Sequence, residues 1–174
     1  MNLIFDNWTT EIGAGVAARE NCKNCQINAD LLYPGGVQFS FFTANYRGFA
    51  DLDPQTRAVF GATYYFAGTP ASVRLLYTQV SFVKDYTLTF VQITSNAILD
   101  GPATQLFTKT DNILEASTVW SPCGAEGLLN INSQIALSRL NNNQTAHGIV
   151  YTDSLDAKFT QFFSLRWRTC TAPV

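Results

Sequence analysis

From Cys25 to Leu31 the chain alternates one residue at a time. Cys25, Ile27, Ala29 and Leu31 share one parity, and Gln26, Asn28 and Asp30 share the other. A period of two sends successive side chains to opposite faces of an extended strand, which a helix cannot do. The pattern returns at Leu129–Leu137, where Leu129, Ile131, Ser133 and Ile135 face one way and Asn130, Asn132 and Gln134 the other. It returns again at Lys158–Thr169, with Phe159, Phe163, Leu165 and Trp167 inward and Arg166 and Arg168 outward. Turn residues interrupt these runs at short intervals, the signature of many short antiparallel strands.

Tyr33-Pro34-Gly35-Gly36 reads as a turn, because proline presets φ and glycine tolerates positive φ. Beyond it Val37, Phe39 and Phe41 alternate with Gln38 and Ser40, so residues 25–46 are expected to form a β-hairpin. Further strands are expected at Ala58–Phe66, Val73–Val83, Thr87–Ile93 and Leu106–Lys109, with Asn2–Trp8 as an edge. One helical turn is expected near residues 110–117, capped by Asp111 with Glu115 nearby. No Pro/Gly/Ser-rich linker and no internal repeat divides the chain. The expectation is a single all-β domain over residues 1–174, an antiparallel two-sheet β-sandwich with a flattened β-barrel as the alternative.

Charged residues make up 14% of the 174-residue chain and hydrophobic residues 47%, which excludes a disordered polypeptide. A formal net charge of −2 lacks the basic field that a nucleic-acid backbone demands. No apolar run reaches the length of about 18 residues needed for a membrane span. The start of the chain carries no apolar leader pattern: Met1 is followed by polar Asn2, with Asp6 close behind. We read this as a secreted product without its signal peptide, in preference to a cytosolic one.

Four cysteines, Cys22, Cys25, Cys123 and Cys170, suit two disulfides in any of three connectivities. Cys22-Lys23-Asn24-Cys25 has metal-site spacing, but a zinc site wants a second close pair or neighbouring histidines. Neither a metal nor a cofactor is expected. Asn7-Trp8-Thr9 and Asn143-Gln144-Thr145 are candidate N-glycosylation sites at Asn7 and Asn143.

Catalytic motifs are missing. His147 is the only histidine, and its Thr-Ala-His-Gly setting matches no nucleophile motif. Asp51 and Asp53 stand about 7 Å apart at Cα in an extended segment. Glycosidic carboxyls act at separations of about 5–9 Å, yet they face each other across a sugar, which neighbours in one segment do not. Asp53-Pro54 also opens a natural turn. Arg47 is expected to pair with Asp51 or Asp53 and pin the Tyr46-Arg47-Gly48-Phe49 segment, its guanidinium offering an alternative grip on an acidic ligand. Tyr65, Phe42 and Trp120 could form an aromatic platform for sugar rings, although most aromatics of such a fold enter its core. Tyr46, Arg47, Asp51, Asp53 and Trp120 are therefore the candidate binding residues, and the 141–144 tract is read as a solvated hairpin loop.

An ordered set of short motifs runs along the chain: Lys23-Asn24-Cys25-Gln26, Tyr33-Pro34-Gly35-Gly36, Tyr46-Arg47-Gly48, Leu52-Asp53, Ala62-Thr63-Tyr64-Tyr65-Phe66, Trp120-Ser121-Pro122-Cys123-Gly124, Leu129-Asn130-Ile131-Asn132 and Trp167-Arg168-Thr169-Cys170. It resembles a family of small secreted fungal proteins classed as a domain of unknown function, over about residues 3–170. The resemblance implies an extracellular, disulfide-bonded product and supplies no catalytic residues. Within it, the economical pairing joins Cys22 and Cys25 each to one of Cys123 and Cys170. Cys25–Cys170 is favoured because the start of one strand meets the end of its antiparallel partner.

Three functions follow as expectations. The first is a non-enzymatic secreted binding or effector-like protein, whose partner is an extracellular protein or glycan at a host or fungal surface. The second is a carbohydrate-active hydrolase or lyase using acids among Asp30, Asp51, Asp53, Asp153 and Asp156. The third is an inhibitor of extracellular enzymes that projects residues 139–148.

Overall fold

The computed structural model describes residues 2–6, 8–67, 92–112, 118–141, 143–151 and 158–170. Its elements are β1 (Asn2–Asp6), β2 (Thr10–Ile12), a short 3-10 turn (Ala18–Asn21), β3 (Cys22–Leu52), β4 (Thr56–Phe66), β5 (Gln92–Asp100), β6 (Ala103–Asn112), β7 (Gly124–Arg139), β8 (Gly148–Tyr151) and β9 (Lys158–Thr169). The strands expected at residues 73–83, and most of that at 87–93, lie outside the described residues.

Strand β3 organises the rest. It is 31 residues long and serves two layers in turn. Its first part, from Cys22 to Leu32, pairs with β7, which pairs with β4, which pairs with β5. Its second part pairs with β9 from Val37 to Arg47, with β6 from Thr43 to Leu52 and with β8 from Phe49 to Leu52. β1 extends the second layer beyond β9, and β2 extends it beyond β8. The described strands therefore form one continuous nine-stranded antiparallel sheet that folds over on itself into two layers.

The expected hairpin over residues 25–46 does not form. Tyr33-Pro34-Gly35-Gly36 is instead a bulge in an unbroken strand, marked by a register shift between Leu32 and Val37 and by φ of +79° at Gly36. The same residues that reverse a chain can also absorb extra length in one strand. Tyr33 decides between the two. Its ring is buried against Phe39 and Trp167, and its hydroxyl donates to the carbonyls of Pro122 and Glu126 at 2.7 and 2.9 Å. The helical turn near residue 110 is likewise overridden: Thr110 to Asn112 belong to β6, and residues 113–117 lie outside the described residues.

The layers meet through aromatic side chains. Phe39 packs edge-on to Phe66 at 5.2 Å, Phe41 lies 4.6 Å from Tyr64, and Phe60 lies 4.5 Å from Phe107. Strict alternation along β4 buries Ala58, Phe60, Ala62, Tyr64 and Phe66 while Arg57, Val59, Thr63 and Tyr65 face outward. Fully buried Phe39, Phe41, Phe66, Leu52, Leu129, Ile131 and Val150 each contribute about 1.5–3 kcal/mol relative to an exposed position.

Candidate functional site

Strand alternation separates the candidate residues around Tyr46. Tyr46 faces the core and is 3% exposed, whereas Arg47 and Asp51 face solvent from the opposite side of β3. The acids have partners other than the expected arginine: Asp51 accepts a hydrogen bond from the Thr104 hydroxyl at 2.7 Å across the β3–β6 ladder. Asp53 accepts the backbone N–H of His147 at 2.8 Å and donates its own N–H to the His147 carbonyl at 2.9 Å. His147 in turn places Nε2 3.1 Å from the Glu11 carboxylate. These contacts tie neighbouring strands and loops together and do not set two carboxylates across a cleft. Asp153 and Asp156 lie outside the described residues.

Several described residues of the 139–148 loop are tied to the fold. Leu140 donates to the Gln55 carbonyl at 2.7 Å, Arg139 Nε donates to the Ala146 carbonyl at 3.0 Å, and Ala146 is buried. Asn143 accepts from both the N–H and the hydroxyl of Thr145, so this sequon forms a tight turn on the surface. Asn7 lies outside the described residues.

Inside, the Tyr46 hydroxyl belongs to a buried polar cluster that sequence reasoning missed. It hydrogen-bonds the Tyr64 hydroxyl, which donates to Asp111 Oδ2 at 3.0 Å. Lys109 Nζ sits 2.5 Å from both Asp111 oxygens, and Ser95 donates to Asp111 Oδ1 at 2.5 Å. The Lys109 ammonium also lies 4.6 Å from the centroid of the Tyr46 ring. Four strands supply these groups: Tyr46 comes from β3, Tyr64 from β4, Ser95 from β5, and Lys109 and Asp111 from β6. Burial raises both phenols well above the ordinary tyrosine range, and burial likewise pulls the Lys109 amine below its ordinary value against the pull of Asp111. A small pocket beside the cluster, lined by Trp8, Tyr46, Phe60, Lys109, Ser133 and Ile135 among others, is mostly apolar. The signal in the sequence was the spacing Lys109-Thr110-Asp111, which puts opposite charges on one face of a strand.

The four cysteines fall at two separate places. Cys123 and Cys170 form a disulfide, and Cys22 and Cys25 are free thiols, so the expected Cys25–Cys170 bridge is corrected. Strand length explains the difference. β9 ends opposite Val37 in the middle of β3, where β7 also begins, so Cys170 and Cys123 meet there. Cys25 stands opposite Ser133, ten residues further along β7 than Cys123, which amounts to about 33 Å at strand rise.

Beside this disulfide the outer face carries aromatic and guanidinium groups in contact. Residues 118–122 run along β3: Ser121 donates its N–H to the Phe39 carbonyl at 2.8 Å, and the Ser40 hydroxyl donates to the Val119 carbonyl at 2.5 Å. Val119 and Ser121 are thereby buried and Trp120 is turned outward. Arg168 lies over the Trp120 ring at 4.1 Å and donates to Gln38 Oε1 at 3.1 Å, while Gln38 Nε2 donates to the Ser121 carbonyl at 2.7 Å. Further along, Arg166 lies over Phe42 at 5.2 Å. Each cation–π contact is worth about 0.5–1 kcal/mol at an exposed position, and together they hold two guanidinium groups at fixed places. Trp167 stands on the inner face at the rim, packed on Phe39 yet 54% exposed. Trp120 is therefore the candidate that sits within a convergent surface, whereas Tyr46, Arg47, Asp51 and Asp53 do not gather around it. Among the described residues no group of three or more His, Cys, Asp or Glu side chains could hold a metal ion. No helix there is long and apolar enough to cross a membrane.

These features define an all-β protein, clamped by a disulfide, with an arginine- and aromatic-rich outer face. Residues 1–170 match the family described as Domain of unknown function (DUF4360), and the chain belongs to that family. It is 40% identical over 171 residues to a protein of Arthroderma benhamiae described as an uncharacterized secreted protein. The match covers 98% of this chain and 61% of the relative, so the chain spans about three fifths of that relative's length. No solved structure matches. The relative's description agrees with the extracellular fungal setting expected from the motifs.

Proposed function

We propose that the chain is a non-catalytic secreted binding module that recognises an extracellular glycan at a fungal or host surface. The observation that carries this reading is the braced pair of Arg168 and Trp120, with Arg166 over Phe42 on the same outer face. Aromatic rings present an apolar surface to the faces of sugar rings. Guanidinium forks match carboxylates, so uronic-acid-containing polymers fit better than neutral ones. Because Gln38 fixes the Arg168 side chain before any ligand arrives, little ordering entropy remains to be lost on binding.

The test is binding to an array of fungal and plant cell-wall glycans that includes polyuronides, followed by titration of tryptophan fluorescence. The reading expects micromolar binding to an acidic glycan, weakened at least tenfold by Arg168→Ala and by Trp120→Ala. Leu106→Ser, at an exposed position on β6, is expected to leave it unchanged. Absence of any bound glycan at micromolar concentration, or equal binding by all three variants, would overturn it.

A further inference from the structure

The sequon Asn143-Gln144-Thr145 lies whole within the connection from β7 to β8, and the binding face described above makes no use of it. This connection is anchored at its base. Leu140 donates its N–H to the Gln55 carbonyl at 2.7 Å, and Arg139 Nε donates to the Ala146 carbonyl at 3.0 Å. Between these anchors the Asn143 N–H donates to the Leu140 carbonyl at 3.3 Å, closing a turn in which Asn141 takes a φ of +55°. The sequon follows directly, with Asn143 half-buried and Gln144 and Thr145 exposed. The Asn143 side chain is engaged through its oxygen alone. Oδ1 accepts the Thr145 N–H at 3.2 Å and the Thr145 hydroxyl at 2.9 Å, and among the described residues Nδ2 donates to nothing. A turn closed through the side-chain carbonyl leaves the amide nitrogen available.

We propose that Asn143 is an N-glycosylation site, its Nδ2 carrying an oligosaccharide that the chain acquires on the secretory route. The transferase of that route reads an asparagine with a hydroxyl two residues on, and Asn143 and Thr145 supply the two groups. The co-reactant is an oligosaccharide linked to a lipid diphosphate. Nδ2 attacks C1 of its first sugar; the N–C1 bond forms as the bond from C1 to the diphosphate oxygen breaks. The amide gives up one proton and the lipid diphosphate leaves with the electron pair, so nothing is oxidised or reduced. The product keeps the Asn143 carbonyl, and with it both hydrogen bonds from Thr145. The linkage therefore costs the folded loop none of its contacts.

Its position also keeps two surfaces apart. Trp120 precedes the first residue of β7, Gly124, and Asn143 follows its last, Arg139. At strand rise that element separates them by about 50 Å along its length. An oligosaccharide on Asn143 stands at the His147 end of the molecule and leaves the Arg168–Trp120 face open. The proposal rests on the secreted route of the proposed function and not on its glycan-binding reading.

The test secretes the chain from a fungal host behind a supplied signal peptide, so transfer is read whatever route the chain takes by itself. The secreted chain is digested with trypsin, and the peptides are treated with peptide N-glycosidase in heavy-oxygen water. Residues 140–158 form one tryptic peptide, in which Asn143-Gln144-Thr145 is the only sequon. In wild type, most copies of this peptide are expected to carry Asn143 converted to a heavy-oxygen-labelled aspartate. Thr145→Ala is expected to abolish the label and Thr145→Ser to retain it. Asn7→Gln is expected to leave it in place, which separates the two sequons. An unlabelled 140–158 peptide from secreted wild type whose circular dichroism shows a folded chain, or a label that persists in Thr145→Ala, would overturn the proposal.

Discussion

Replacing Lys109 with methionine keeps most of the stem's volume and removes the charge that faces Asp111. Both side chains are nearly sealed from water, at 5% and 4% exposure. Breaking such a pair by removing one partner costs about 3–5 kcal/mol, because the remaining charge stays buried and uncompensated. Asp111 retains the Tyr64 and Ser95 hydroxyls at 3.0 and 2.5 Å, which places the expected loss for Lys109→Met at the lower end, about 3 kcal/mol. With a urea slope of about 2–3 kcal/mol per M, the unfolding midpoint falls by about 1–1.5 M. Tryptophan fluorescence in a urea series reads it directly. Adding Asp111→Asn removes the stranded charge and keeps an acceptor for one of the two hydroxyls, so the double variant is expected to recover part of the loss. A midpoint shift under about 0.2 M for Lys109→Met, or strictly additive losses in the double variant, would refute the idea that this pair is energetically coupled.

Tyr46 and Tyr64 give a pH dependence of definite sign. Their folded pKa values lie above the unfolded value of about 10, so their stabilisation is complete below pH 10 and is lost as pH rises beyond it. Lys109 contributes with the opposite slope, since its lowered folded pKa makes stability rise with pH up to about 10.4, after which the two phenols dominate. In a titration followed at 295 nm, part of the tyrosinate absorbance is expected to appear only together with loss of the folded circular dichroism; complete ionisation in a still-folded chain would contradict this. Gly101→Ala would set a Cβ 2.0 Å from the Asp53 carbonyl oxygen at the β5–β6 corner, and a loss of about 1–3 kcal/mol in chemical denaturation is expected. Cys123→Ser opens a bridge between residues 47 apart, which in the chain-entropy treatment costs about 4 kcal/mol; thermal unfolding of the variant against wild type measures it.

What could be read in the sequence was what depends on neighbours along the chain. The parity of Leu129–Leu137 fixed which side chains go inside, and the structure buries Leu129, Ile131, Ser133 and Ile135 accordingly. Arg166 and Arg168 were assigned outward by the same rule, and the structure stacks them on Phe42 and Trp120. What depends on partner choice was hidden. Tyr33-Pro34-Gly35-Gly36 carries the chemistry of a turn and of a bulge alike. Only the burial of Tyr33 beneath residues 122–126, far along the chain, selects the bulge. Asp111 carries a local preference for a helix cap, and Lys109, Ser95 and Tyr64 hold it in a strand instead. The cysteine pairing failed for the same reason, since it follows from where β9 ends along a strand whose length was not apparent.

Liquid chromatography and mass spectrometry of a proteolytic digest, made without reduction and with free thiols capped beforehand, test the shared central strand most directly. If β3 runs unbroken through both layers, the digest contains one linked pair of peptides carrying Cys123 and Cys170. Neither of these cysteines is then found joined to Cys22 or Cys25. A linkage from Cys25 to Cys170 would mean that β3 is folded back as a hairpin, and the topology described here would be wrong.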